Sequence, residues 1–126
     1  MKQVRASEGL RFSAKLLFQF RIENDGESDI MRLCEERIVL LKAKSGRGAL
    51  SVAKRRGKSS EHSYKNDSGG TVYFEFVGVL DLMHLGVECE DDEVWYSITK
   101  RKLPKERASK ILPAESSLSA IRTLGG

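Results

Sequence analysis

Most of the markers that would tie a chain to a known chemistry are missing here. The 126 residues contain two cysteines and two histidines, and Cys34 and Cys89 lie far apart and form no CxxC pair. In a reducing compartment such cysteines read as free thiols rather than a disulfide. Adding His62 and His84 does not assemble three or four ligands at metal-binding spacing, so no metal or other cofactor is expected. No apolar run approaches the length that spans a bilayer, and no charged-then-apolar leader opens the chain. The cytoplasm is therefore the expected compartment, with no membrane contact. There is no GxSxG turn, and neighbours such as Ser59, Ser60, Glu61 and His62 would not face one another on a helix. Cys34 with a distant histidine makes no better nucleophile. Pairs such as Glu35-Glu36 and Asp91-Asp92 read as solvated charges. No catalytic residue is assigned, and an enzyme is the least supported class.

What is present is charge in blocks and apolar residues in alternation. Apolar residues make up 40% and charged residues 32%, the mix of a globular chain with room for one domain. The net charge is +4, but its distribution says more. Acid dominates residues 23–36, base alone occupies 42–58, acid returns at 88–93, and base again at 100–110. Such blocks can pair within a molecule or across a dimer, so the excess of base need not mean an anionic partner.

Residues 1–11 carry no period and read as a loose arm. Over residues 12–22, Phe12, Ala14, Leu16, Phe18, Phe20 and Ile22 share one face of a strand. Asn24-Asp25-Gly26 is turn chemistry. Residues 37–43 form a second strand, apolar on both faces, which asks for cover on both. A helix follows from about Arg47, with Leu50, Ala53, Gly57, Ser60 and Tyr64 on one side. Gly57 costs about 1 kcal/mol of helix propensity against Ala, so a kink or early end is expected there. Residues 66–70 stop the helix. Residues 71–85 form a long third strand in which Gly78 marks a bulge or a close backbone approach. A fourth strand is expected from Val94 to about Lys100. In the tail, Pro104 and Pro113 suit the starts of short helices and Gly125 a C-terminal stop.

Four segments in this order, AKLLFQF (Ala14 to Phe20), EERIVLLKAKS (Glu35 to Ser45), FEFVGVLDL (Phe74 to Leu82) and EVWYS (Glu93 to Ser97), together resemble the bacterial domain-of-unknown-function family numbered 4288. The Ala49 and Ala53 spacing after the second segment adds to the likeness. The resemblance runs from about Phe12 to Arg101 and leaves out the tail beyond Leu103. It implies a small bacterial α+β protein and brings no catalytic residues with it.

Two surfaces then compete for a function. One is the basic helix, where Lys54, Arg55 and Lys58 share a side, with Lys44 and Arg47 near the helix start. It would neutralise phosphates without reading sequence. Against it, SGRG is not a GxxxxGK[ST] loop, and no aromatics alternate with the bases. The plain alternative is a solvated helix face balanced by the acidic segments. The other surface is the sheet face the helix cannot reach. One helix covers one side of a four-stranded sheet, and Leu17, Val39, Leu41, Val77, Val79 and Trp95 are expected on the other. Burying such residues contributes about 1.5–3 kcal/mol each, so a second copy of the chain, the folded-back tail or another protein should cover them.

The expected fold is α+β: a mostly antiparallel four-stranded sheet, β-β-α-β-β, with one main helix on one face and short C-terminal helices. The domain is expected over residues 12–103 and the tail over 104–126. The leading functional expectation is a non-catalytic cytoplasmic binding or adaptor protein, acting as a homodimer by protein contact. A nucleic-acid or anion-binding protein using residues 47–58 is the alternative. A toxin-neutralising or defence accessory fits the first class, though no residue specifies it.

Overall fold

The structure is a computed structural model that describes residues 9–125. Most of the arm expected over residues 1–11 lies outside the described residues. From Leu10 onward the chain is already strand β1 (Leu10–Asn24). The Asp25-Gly26 turn has positive φ at both positions, 52° and 80°, as a tight two-residue hairpin requires. It returns the chain into the short β2 (Glu27–Ser28), which pairs with the end of β1. β3 (Leu33–Ala43) then runs antiparallel to β1 over eleven residue pairs, from Leu10 opposite Ala43 to Phe20 opposite Leu33.

Ser45 ends the strand segment and caps helix α1 (Gly46–Ser59). Its backbone is extended, and its Oγ accepts the Gly48 N–H at 3.0 Å. Ala49, Ala53 and Gly57 recur every four residues and are the buried positions of the helix. They are small, so the helix axis can lie close to the sheet. After Ser60 the chain enters β4 (His62–Lys65) and a hairpin loop, in which Asn66 Oδ1 accepts the N–H groups of Ser68 and Gly70. The loop delivers β5 (Thr71–His84), which pairs with β4 on one side and along most of β1 on the other.

The sheet thus has β1 and β5 at its centre, β4 outside β5, and both β2 and β3 on the outer side of β1. β3 and β5 run in the same direction but do not touch as partners, because β1 lies between them. The chain is α+β with an antiparallel sheet and one main helix. Its core gathers Ala14, Leu16, Phe18, Ala53 and Phe74 between α1 and the sheet, with Phe20, Val39, Leu41, Phe76, Val79 and Leu82 packed around them. Phe18 stacks on Phe74 at 4.6 Å between ring centroids.

Two elements differ from the sequence expectation. Residues 60–64 do not continue the helix; they open β4, because Thr71 to Phe74 offer a ladder for them. Residues 94–100 form no strand. An alternating pattern reports extended backbone, not a partner, and the outer edge of β5 is already occupied by carboxylates, as described below.

The first compact unit ends at Tyr96. The second, from Ser97, holds three short helical turns: α2 (Ala108–Ile111), a 3-10 turn (Glu115–Ser117) and α3 (Ser119–Leu124). Gly125 ends α3 in the left-handed conformation, φ 78°, and Pro104 and Pro113 precede the turns rather than open them. Among the described residues no helix is long and apolar enough to cross a membrane.

Candidate interaction surfaces

Strand register divides the sheet into two faces. The face under α1 carries Phe12, Ala14, Leu16 and Phe18. The other carries Ser13, Lys15, Leu17, Gln19 and Arg21, opposite Leu40, Ile38, Glu36 and Cys34 of β3 and Met83, Asp81, Gly78, Glu75 and Tyr73 of β5.

One end of this second face is polar and internally satisfied. Arg21 forks onto Glu75 with contacts of 2.8 and 3.0 Å, Gln19 donates to the same carboxylate at 3.0 Å, and Arg32 reaches Gln19 at 3.2 Å. The Arg21 guanidinium also lies 4.3 Å from the centre of the Tyr73 ring. Hydrogen bonding from Arg21 holds the Glu75 carboxyl below the usual glutamate range; burial opposes it, and a weaker hydrogen bond from Gln19 adds to it. The same pairing raises Arg21 above its ordinary value.

The other end is apolar. After β5 the chain turns at Gly86 and returns so that Met83, Leu85 and Cys89 pack together with Trp95 against them. Lys15 extends over the Trp95 ring and forms an ion pair with Glu36 at 3.2 Å. Burial first, and Glu93 and Glu88 second, push the Cys89 thiol up. Ser13 is wholly buried, and among the described residues its hydroxyl has no partner. Ile38 and Leu40 remain 42% and 58% exposed beside the half-buried Leu17.

The residues expected on this face are therefore split. Leu17 and Trp95 are there. Val39, Leu41 and Val79 are not: they belong to the core under α1, and this corrects the sequence assignment. For β3 the reason is register. Val39 pairs with Ala14 and Leu41 with Phe12, so they share the helix side, and the exposed pair is Ile38 and Leu40 instead. For β5 the reason is two register shifts. Leu17 faces Gly78 while Phe18 faces Phe76, and Lys15 faces Asp81 while Leu16 faces Val79. Val77 and Leu80 are the extra residues, each about half exposed. Between the shifts the alternation is inverted, which puts Val79 inside. The Gly78 signal marked the first of these bulges.

The outer edges of the sheet contrast. On the side of β5 away from β1, the Phe76 N–H donates to Glu61 at 2.9 Å, the Leu82 N–H to Asp81 at 2.8 Å and the His84 N–H to Glu88 at 2.6 Å. Carboxylates stand where a further strand would bind. Among the described residues β3 pairs only with β1, and no side chain accepts from its outward N–H groups.

The basic helix presents Arg47, Lys54, Arg55 and Lys58 to solvent, as does Lys44 just before it. Lys58 reaches Glu61 at 3.8 Å. Among the described residues Arg47, Lys54 and Arg55 have no carboxylate within ion-pairing distance, so the acidic segments do not balance this face directly.

Two recesses accompany these surfaces. One of about 280 Å³ is lined by Glu61, His62, Ser63, Tyr73, Phe74 and Glu75. Three of its side chains are already engaged: Glu61 with the Phe76 N–H, His62 Nδ1 with the Ser60 carbonyl at 3.0 Å, and Glu75 with Arg21. The other, about 240 Å³, lies among Arg11, Phe12, Leu40, Leu41, Lys42 and Leu85. Among the described residues no three His, Cys, Asp or Glu side chains gather as metal ligands would.

The family described as Domain of unknown function (DUF4288) matches residues 11–97. That is more than half of the chain, and the chain belongs to this family. The match ends one residue past the first compact unit. No curated protein and no solved structure matches the chain.

Proposed function

We propose that this member of the family is a non-catalytic binding protein of the bacterial cytoplasm that works by protein contact, as a homodimer. The observation supporting it is the apolar half of the open sheet face, where Ile38 and Leu40 stand exposed beside Leu17. Both are already about half buried, so covering what remains would contribute on the order of 1 kcal/mol each. Light scattering at micromolar concentration tests the reading. The native chain is expected to be dimeric, and Leu40→Asp monomeric with an unchanged circular dichroism spectrum. A native chain that scatters as a monomer overturns it.

A second reading is supported by the cations of α1 that have no carboxylate partner among the described residues. Arg47, Lys54 and Arg55 would bind phosphates of a nucleic acid without sequence preference, with affinity falling steeply as salt rises. A gel-shift titration at low and moderate salt, repeated with Lys54→Glu/Arg55→Glu, decides it. Binding that the double variant leaves unchanged removes this reading.

A further inference from the structure

β3 offers eleven residues of strand whose outer edge is open among the described residues, about 37 Å long, whereas the outer edge of β5 is closed by three carboxylates. Open edges pair with other strands unless something blocks them. We propose that β3 pairs antiparallel with β3 of a second copy of this chain, about a two-fold axis passing at Val39. The inference rests on the protein-contact reading above and fixes its geometry: two sheets joined edge to edge into one, rather than stacked face to face.

The register follows from the charges of β3 itself. An axis perpendicular to the sheet keeps each face on its own side, so a residue before Val39 meets the one equally far beyond it. On the open face Ile38 then meets Leu40 of the second copy, and Glu36 meets Lys42 of the second copy. Symmetry makes each contact twice. Moving the axis by one residue destroys this match. Centred on Ile38, Glu36 would face Leu40; centred on Leu40, Ile38 would face Lys42. Only the Val39 axis sets apolar against apolar and acid against base on the exposed face. Opposed charges and apolar pairs across strands are the contacts that stabilise such seams.

The single chain carries a fault that this pairing mends. Arg11 and Lys42 are direct cross-strand partners, both exposed. Like charges so placed repel, and among the described residues no carboxylate lies within ion-pairing distance of either. Glu36 of a second copy would arrive beside Lys42 and supply one. Glu36 has capacity for this: its carboxylate touches Lys15 through one oxygen and is half exposed.

Sedimentation of the full chain and of two exposed-site variants, E36K and K42E, tests the seam. Each variant alone sets like charges opposite each other twice, and each is expected to dimerise at least tenfold more weakly than the native chain. Mixed in equal amounts, the two variants restore both opposite-charge pairs, and the mixture is expected to form a heterodimer near native affinity. Circular dichroism on each variant establishes that the fold is kept. A native dimer that both variants reproduce, or two weakened variants that fail to associate when mixed, overturns the seam. If Leu40→Asp still breaks the dimer in that case, the protein-contact reading stands without it. A monomeric native chain sinks both, and leaves the open edge to a foreign strand.

Discussion

Phe76 fills the space that a side chain on Gly57 would need. A Cβ built at Gly57 would penetrate the ring of Phe76, so the missing side chain is what allows α1 to sit on β5. Alanine is the better helix former by about 1 kcal/mol, yet overpacking a tight contact costs about 1–3 kcal/mol. Gly57→Ala is therefore expected to lower stability by about 1 kcal/mol net, measured as a reduced urea midpoint at unchanged slope. A variant as stable as the native chain would show that the helix can lift away freely.

Ser13 makes the opposite case. Its hydroxyl is wholly buried without a partner among the described residues, and an unmet buried donor costs about 1–3 kcal/mol. Ser13→Ala is expected to raise the unfolding midpoint, by about 1 kcal/mol of stability. A loss on substitution would mean that the hydroxyl is bonded in solution, through water among other routes.

Glu75 gives stability a pH dependence of known sign. Its carboxyl is held below the ordinary glutamate value by Arg21 and Gln19. Between the lowered folded value and the ordinary unfolded one, the unfolded chain binds the extra proton. The stabilisation is thus complete above the ordinary glutamate range and is lost as pH falls through the folded value. Urea unfolding of the native chain and of Glu75→Gln, from neutral pH into acid, should show their difference shrinking as pH falls. A constant difference would place the Arg21–Glu75 contact outside the pH response.

The two cysteines should report separate environments. Cys34 is exposed on β3 and Cys89 is buried against Met83, with its sulfur 3.7 Å from the Met83 sulfur and its thiol pushed up. The thiolate is the reactive form. A disulfide-exchange reagent at neutral pH should therefore label one thiol per chain quickly and the second only as the protein unfolds. Fast labelling of Cys89 would mean that residues 86–95 open readily from the sheet.

The alternation in residues 12–22 was enough to predict β1 and its buried face, because six apolar residues two apart admit one arrangement. The α1 helix and its Ala53 and Gly57 contacts were visible for the same reason. Gly57, though, read as a weak point, and only the nearness of Phe76 turns it into a packing requirement. β5 defeated the period, since two inserted residues invert the pattern around Val79 and restore it after Leu80. β3 defeated it differently. Both of its faces are apolar, so periodicity could not say whether Val39 and Leu41 or Ile38 and Leu40 met the helix. The register against β1 decides that, with Val39 opposite Ala14 and Leu41 opposite Phe12, and one strand's period does not carry its partner's register. The recognised segments Ala14 to Phe20, Glu35 to Ser45, Phe74 to Leu82 and Glu93 to Ser97 all fall inside the matched family span.

The mismatch in length between β1 and α1 has its own consequence. Fifteen residues of strand extend about 50 Å, while fourteen of helix cover about 21 Å. The ribbon is thus clamped at the Phe12 end and overhangs toward Ile22, which stays 36% exposed. Amide hydrogens along a single strand would exchange at graded rates, slowest at Ala14 and Leu16 and fastest near the Asp25-Gly26 hairpin. Local opening of that hairpin end would then leave the pairing at Ala14 and Leu16 intact.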